Sequence, residues 1–128
     1  MLKWSLLKKK LSLSVQKAEK KIKGLFDSGA TYSCISRELA KELEVLIPLA
    51  EPLRFETAEK GKELEAKERV ALDFHLNGYR FSDEFMVLPE LSEEVIIGAK
   101  TMQALRFKLD FEKEEVIIDP RVTRLRFG

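Results

Sequence analysis

Leu25-Phe26-Asp27-Ser28-Gly29-Ala30-Thr31 sets a carboxylate at the end of an apolar run and follows it with a small hydroxyl residue and a glycine. An acid so placed is partly buried, and burial penalises its charged form. To serve as a base, Asp27 needs hydrogen bonds from the Gly29 N–H or a second nearby group that shares its proton. Gly29 permits the tight turn and the close approach of that backbone. Taken alone, the triplet is also an ordinary Asx-type turn, so its surroundings decide how it reads.

Upstream, Leu11-Ser12-Leu13-Ser14-Val15 alternates apolar and polar residues and predicts a half-buried strand; Lys20 to Phe26 reads as its hairpin partner. Downstream, Ser36 to Leu43 offers a serine cap, strong helix formers and apolar residues at 39, 40 and 43, which predicts a short helix. Pro48 and Pro52 break regularity, and Leu53 to Glu56 resumes alternation before a polar stretch with a hairpin tip at Gly61. Val70, Leu72, Phe74 and Leu76 share one strand face while Asp73 and His75 share the other. Asn77-Gly78 is then a strong hairpin signal, with Tyr79 to Leu88 as the return strand. Val95-Ile96-Ile97, closed by Gly98, has the pattern of a central strand buried on both faces. A short helix over Thr101–Leu105 follows, then a hairpin of Phe107–Phe111 and Val116–Ile118 that ends at Asp119-Pro120. Short strands with turns at close spacing predict a mainly β chain, closed or folded, with one or two short helices.

A length of 128 residues with 45% hydrophobic and 35% charged residues fits one domain over 1–128 and excludes a two-domain enzyme. A two-walled substrate cleft is then expected to be shared between copies. Basic residues (23) nearly cancel acidic ones (22), so the net charge of +1 makes no global case for nucleic acid or membrane binding. The distribution is uneven: Met1 to Gly24 carries eight basic residues and one acid. Residues 1–10 read as a basic extension and 119–128 as a tail, with solvation or docking on an acidic surface as the plain explanation of the charge. One cysteine, Cys34, and one histidine, His75, exclude an intrachain disulfide and cysteine or histidine metal clusters. No metal or cofactor is expected. No serine elbow or phosphate-binding glycine loop occurs. Apolar stretches are far shorter than the roughly 20 residues of a membrane span, and no cleavable leader is recognisable, which predicts a soluble, cytoplasmic protein.

Leu25 to Thr31, followed about 70 residues later by Val95-Ile96-Ile97-Gly98 and a short helix, resembles the retropepsin family of aspartic proteases. In that family the first segment is the catalytic loop and the second is a strand that crosses behind it. The resemblance covers about Leu11 to Ile118, with Phe55 to Glu65 in the place of the flap hairpin. It implies a retropepsin-like closed β barrel and a homodimer, because the chain has only one catalytic loop. It further implies an aspartic endopeptidase in which Asp27 from each subunit meets at a twofold axis, one carboxylate taking a proton from the attacking water. Ser28 would hydrogen-bond across the dimer and the Gly29 N–H would orient the carboxylate. Leu25, Ala30, Thr31, Ala58, Gly61 and Ile96 would line the channel for a polypeptide substrate.

The resemblance is to a cellular prokaryotic member, and three features depart from the viral ones, the last of them shared with cellular and retrotransposon-type relatives. Ala99-Lys100 stands where an arginine ties the helix to the catalytic loop; Thr31 and Tyr32 replace acidic residues; and the chain continues past Phe111 through another strand. A second function of a different class is a catalytically silent retropepsin fold kept for dimerisation or peptide binding. The intact Asp27-Ser28-Gly29 favours the enzyme, since a silent module has no evident need for a costly buried acid.

Overall fold

A computed structural model describes residues 6–15, 18–43, 46–56 and 63–124. In chain order the elements are β1 (Leu6–Val15), β2 (Ala18–Asp27), β3 (Cys34–Ser36), α1 (Arg37–Leu43), β4 (Ile47–Glu56), β5 (Glu63–Leu76) and β6 (Tyr79–Leu88). They are followed by β7 (Val95–Ile97), α2 (Ala99–Ala104), β8 (Lys108–Asp110), β9 (Glu115–Ile117) and α3 (Pro120–Arg124). The protein is mainly β with a few short helices.

Seven strands form one sheet in the order β1-β2-β7-β3-β6-β5-β4, and β8 and β9 form a separate pair. β7 lies between β2, which it meets in parallel, and β3, which it meets antiparallel. That central position explains its unbroken apolar sequence: Val95 and Ile97 are fully buried. Three residue pairs, Ser12 with His75, Leu13 with Phe74 and Ser14 with Asp73, also join β1 to β5, so the sheet curls back on itself. The expected closed barrel is nevertheless not formed. The junction is confined to these three pairs, and β4 continues beyond β5 as an edge strand.

The core follows the period of two along β5, where Val70, Leu72, Phe74 and Leu76 are buried and alternate with more exposed residues. Phe74 packs against Phe81 and Phe85, and Phe107 stands edge-on to Phe81 with ring centroids 4.8 Å apart. Phe107 is aimed inward by the end of α2. Arg106 takes a left-handed conformation (φ 59°), its N–H bonds Gln103 O, and the Phe107 N–H bonds Met102 O. This is a Schellman termination, which turns the chain sharply after the helix. The β5–β6 turn is the one expected: Asn77 and Gly78 both have positive φ (51° and 84°). Ser36 caps α1, its Oγ accepting from the Leu39 N–H at 3.3 Å.

Several expectations need correction. Pro48 and Pro52 do not interrupt a strand: both lie within β4, whose register against β5 shifts between Pro48 and Leu53. An edge strand with a bulge tolerates proline because its missing N–H is not demanded by two neighbours. Leu6 to Lys10, read as part of an extension, belong to β1, and Pro120 to Arg124, read as tail, form α3. α2 starts at Ala99, two residues before the expected helix. The flap tip expected at Gly61 lies outside the described residues.

Candidate active site

Alternation along β2 places Phe26 in the main core and Leu25 on the opposite face, half-buried. Leu25 is in register with Ile96 of β7, which packs against a second apolar cluster of Cys34, Leu64, Ala66, Met86 and Leu88. Asp27, two residues beyond Leu25, is on that same face at the strand end and is only 8% exposed. Its Oδ1 accepts a hydrogen bond from the Gly29 N–H at 2.9 Å. The turn is closed by the Ala30 N–H donating to Asp27 O at 3.1 Å. A buried carboxylate is thus held in one orientation by the backbone that follows it, as the sequence led us to expect.

The loop from Ala30 to Ser33 is fastened to the start of α2. Gly98, Ala99 and Lys100 donate their N–H groups to Ser33 Oγ (2.9 Å), Ala30 O (2.6 Å) and Thr31 O (3.0 Å) respectively. Those amides would otherwise be orphan donors at a helix start. Ser33 Oγ lies 2.5 Å from Thr101 Oγ1, and both residues are buried. A Cβ on Gly98 would come within 2.5 Å of Tyr32 O, so only glycine fits this close approach. Lys100 Nζ sits 5.0 Å above the Tyr32 ring.

Among the residues proposed from sequence, Leu25, Asp27, Gly29, Ala30 and Ile96 are brought together on two adjoining strands and the turn between β2 and β3. Ser28 and Thr31 are exposed on that turn. Ala58 and Gly61 lie outside the described residues. Ser33 and Thr101 were not singled out by sequence: they lie 68 residues apart and neither stands in a local pattern.

Cys34 directly follows this turn, and its thiol donates to Tyr32 O at 3.6 Å. Burial pushes the Cys34 thiol up to about 12, leaving it protonated and unreactive at neutral pH. His75 lies on β5, separated from the Cys34 strand by β6, and its Nδ1 is buried without a hydrogen-bond partner among the described residues. Among the described residues no group of three or more His, Cys, Asp or Glu is suited to a metal ion, and no helix is long and apolar enough to cross a membrane. A cavity of about 230 Å³ beside α1, lined in part by Lys20, Glu38, Glu42 and Glu94, does not include Asp27.

Residues 13–104 match the family described as gag-polyprotein putative aspartyl protease. The chain belongs to the retropepsin-like aspartic protease family. This retropepsin-like protein is similar to the retroviral protease-like domain of Ddi1 from Leishmania major, with a TM-score of 0.67 and 18% identity over 90% of this chain and 89% of that one. It is also similar to EIAV protease, solved with the inhibitor HBY-793, with a TM-score of 0.57 and 15% identity over 80% of this chain and 90% of that one. At these identities the likeness establishes the fold. A retropepsin-like aspartic protease from Rickettsia conorii matches with a TM-score of 0.48 and 18% identity over 86% of this chain and 91% of that one. No curated protein matches the chain.

Proposed function

We propose that this retropepsin-like chain is an aspartic endopeptidase, cytoplasmic and built from a single domain, that works as a homodimer on extended polypeptides. The observation that carries the reading is the buried Asp27 carboxylate, fixed by the Gly29 N–H at the end of β2 on the same face as Leu25 and Ile96. One chain supplies one such acid, and two are needed. Carboxylates about 3 Å apart cannot both ionise, so the pair holds one proton between them. The ionised member takes a proton from a water whose oxygen attacks the peptide carbonyl carbon. The protonated member gives its proton to the carbonyl oxygen. Collapse of the resulting diol, with a proton passed to the nitrogen, breaks the C–N bond.

In this reading Ser28 braces the two loops across the dimer axis. Ala30 and Thr31 meet the substrate backbone, and Leu25, Ile96, Ala58 and Gly61 line the channel. Backbone pairing suits a substrate in extended form.

The test compares the wild type with Asp27→Asn on a proteome-derived peptide library, with new termini read by mass spectrometry. Asparagine is nearly isosteric and its oxygen can still accept from Gly29, so the variant is expected to fold and to leave the library intact. New termini with the wild type alone support the proposal. Their absence with both proteins overturns it and leaves the fold as a dimerisation or peptide-binding module.

A further inference from the structure

We propose that Ser33 and Thr101 are positioning residues for the Asp27 carboxylate, their paired hydroxyls fixing how deep the catalytic loop sits against the start of α2. The inference rests on the proposed peptidase function and names a device that the loop and glycine motifs do not contain.

The bonding leaves these hydroxyls little freedom. Ser33 Oγ accepts the Gly98 N–H at 2.9 Å and faces Thr101 Oγ1 at 2.5 Å, with the two residues 3% and 2% exposed. Water has little access there, so loss of either hydroxyl strands a buried polar group. The other two ties, Ala99 N–H to Ala30 O and Lys100 N–H to Thr31 O, are backbone bonds that any residue could make. The hydroxyl pair is the part of the clamp made by side chains. Gly98 adds the steric half: its bare Cα lets Tyr32 O approach to a distance at which a Cβ would clash. The clamped segment, Ala30 to Ser33, begins three residues after Asp27 and directly follows the Gly29 that orients the carboxylate. Movement of the segment therefore displaces the acid from its counterpart in the second copy.

Thr101→Val keeps the shape and removes the hydroxyl; Thr101→Ser keeps the hydroxyl and removes the methyl group. Ser33→Ala attacks the same pair from the loop side. The assay uses the best-cleaved peptide from the wild-type library digest, with thermal melting to confirm that each variant is folded. Thr101→Val is expected to lose roughly 10- to 100-fold in kcat, as small misplacements of reacting groups do, with KM within about twofold of the wild type. Thr101→Ser is expected to restore most of kcat. Wild-type kcat in a folded Thr101→Val variant overturns the inference, as does a loss that Thr101→Ser shares. Both results leave Asp27-dependent cleavage in place, whereas a wild type that cleaves nothing removes the peptidase reading and this inference with it.

Discussion

Gly29 and Gly98 stand on either side of the Asp27 loop, and a methyl group does something different at each. On Gly98 a Cβ would lie 2.5 Å from Tyr32 O and 2.9 Å from Ala30 O, both backbone atoms of the segment clamped to α2, Ala30 O directly by the Ala99 N–H. Gly98→Ala is expected to destabilise the fold by about 1–3 kcal/mol, the range of overpacked cores. On Gly29 the nearest atom is Asp27 Oδ1 at 3.2 Å, the end of a side chain that can yield by a few tenths of an ångström. Gly29→Ala is expected to cost under about 1 kcal/mol while moving the carboxylate and reducing cleavage severely. Urea unfolding and the peptide assay, run on both variants, separate the two effects. A Gly98→Ala protein as stable as the wild type would contradict the close packing described for the loop. The Asp27-Ser28-Gly29 turn was legible in sequence because its chemistry is local. The Ser33–Thr101 pair was not, since 68 residues separate its members and neither stands in a recognisable pattern.

Among the elements, those with strong local signals were readable and those made by tertiary context were not. β6 and β7 have the expected bounds, and the Asn77-Gly78 turn joins β5 to β6. β3 has only three residues, too few for a period to register, and exists because β6 and β7 flank it. β4 was obscured by its prolines, which are acceptable only because it is an edge. α3 hid behind Asp119-Pro120, read as a stop: proline suits the first turn of a helix, and Asp119 serves as its cap. Asp119 Oδ1 accepts from the Arg121 N–H at 2.9 Å, Oδ2 meets the Arg121 guanidinium at 2.9 Å, and Arg106 lies 3.7 Å away.

The Arg121 side chain, then its backbone N–H, hold the Asp119 carboxyl at about 2 against an ordinary 3.8. Because the folded value is the lower one, the stabilisation is complete above the ordinary value and is lost as pH falls through about 2. Between about pH 4 and 2 the wild type should therefore lose more stability than Asp119→Asn, measured by urea midpoints. Equal losses would show that the C-terminal helix is not held by this charge.

For the molecule as a whole, the curled sheet presents one buried acid among the described residues, and the proposed chemistry calls for two. The sequence already carried this point, since 128 residues contain a single Asp-Ser-Gly loop. The family is legible from the same two motifs, whereas the failure of the sheet to close was not. Closure depends on how far β1 and β5 run together, and strand periodicity does not encode that. On the proposed reading the second wall of the cleft comes from another copy, in keeping with the small size of the chain. The most direct test is a crystal structure of the assembled protein and the separation of the two Asp27 carboxylates in it. The expected result is a twofold dimer with the carboxylates about 3 Å apart around a shared water. A monomer, or a dimer in which each Asp27 faces solvent without its counterpart, would contradict it.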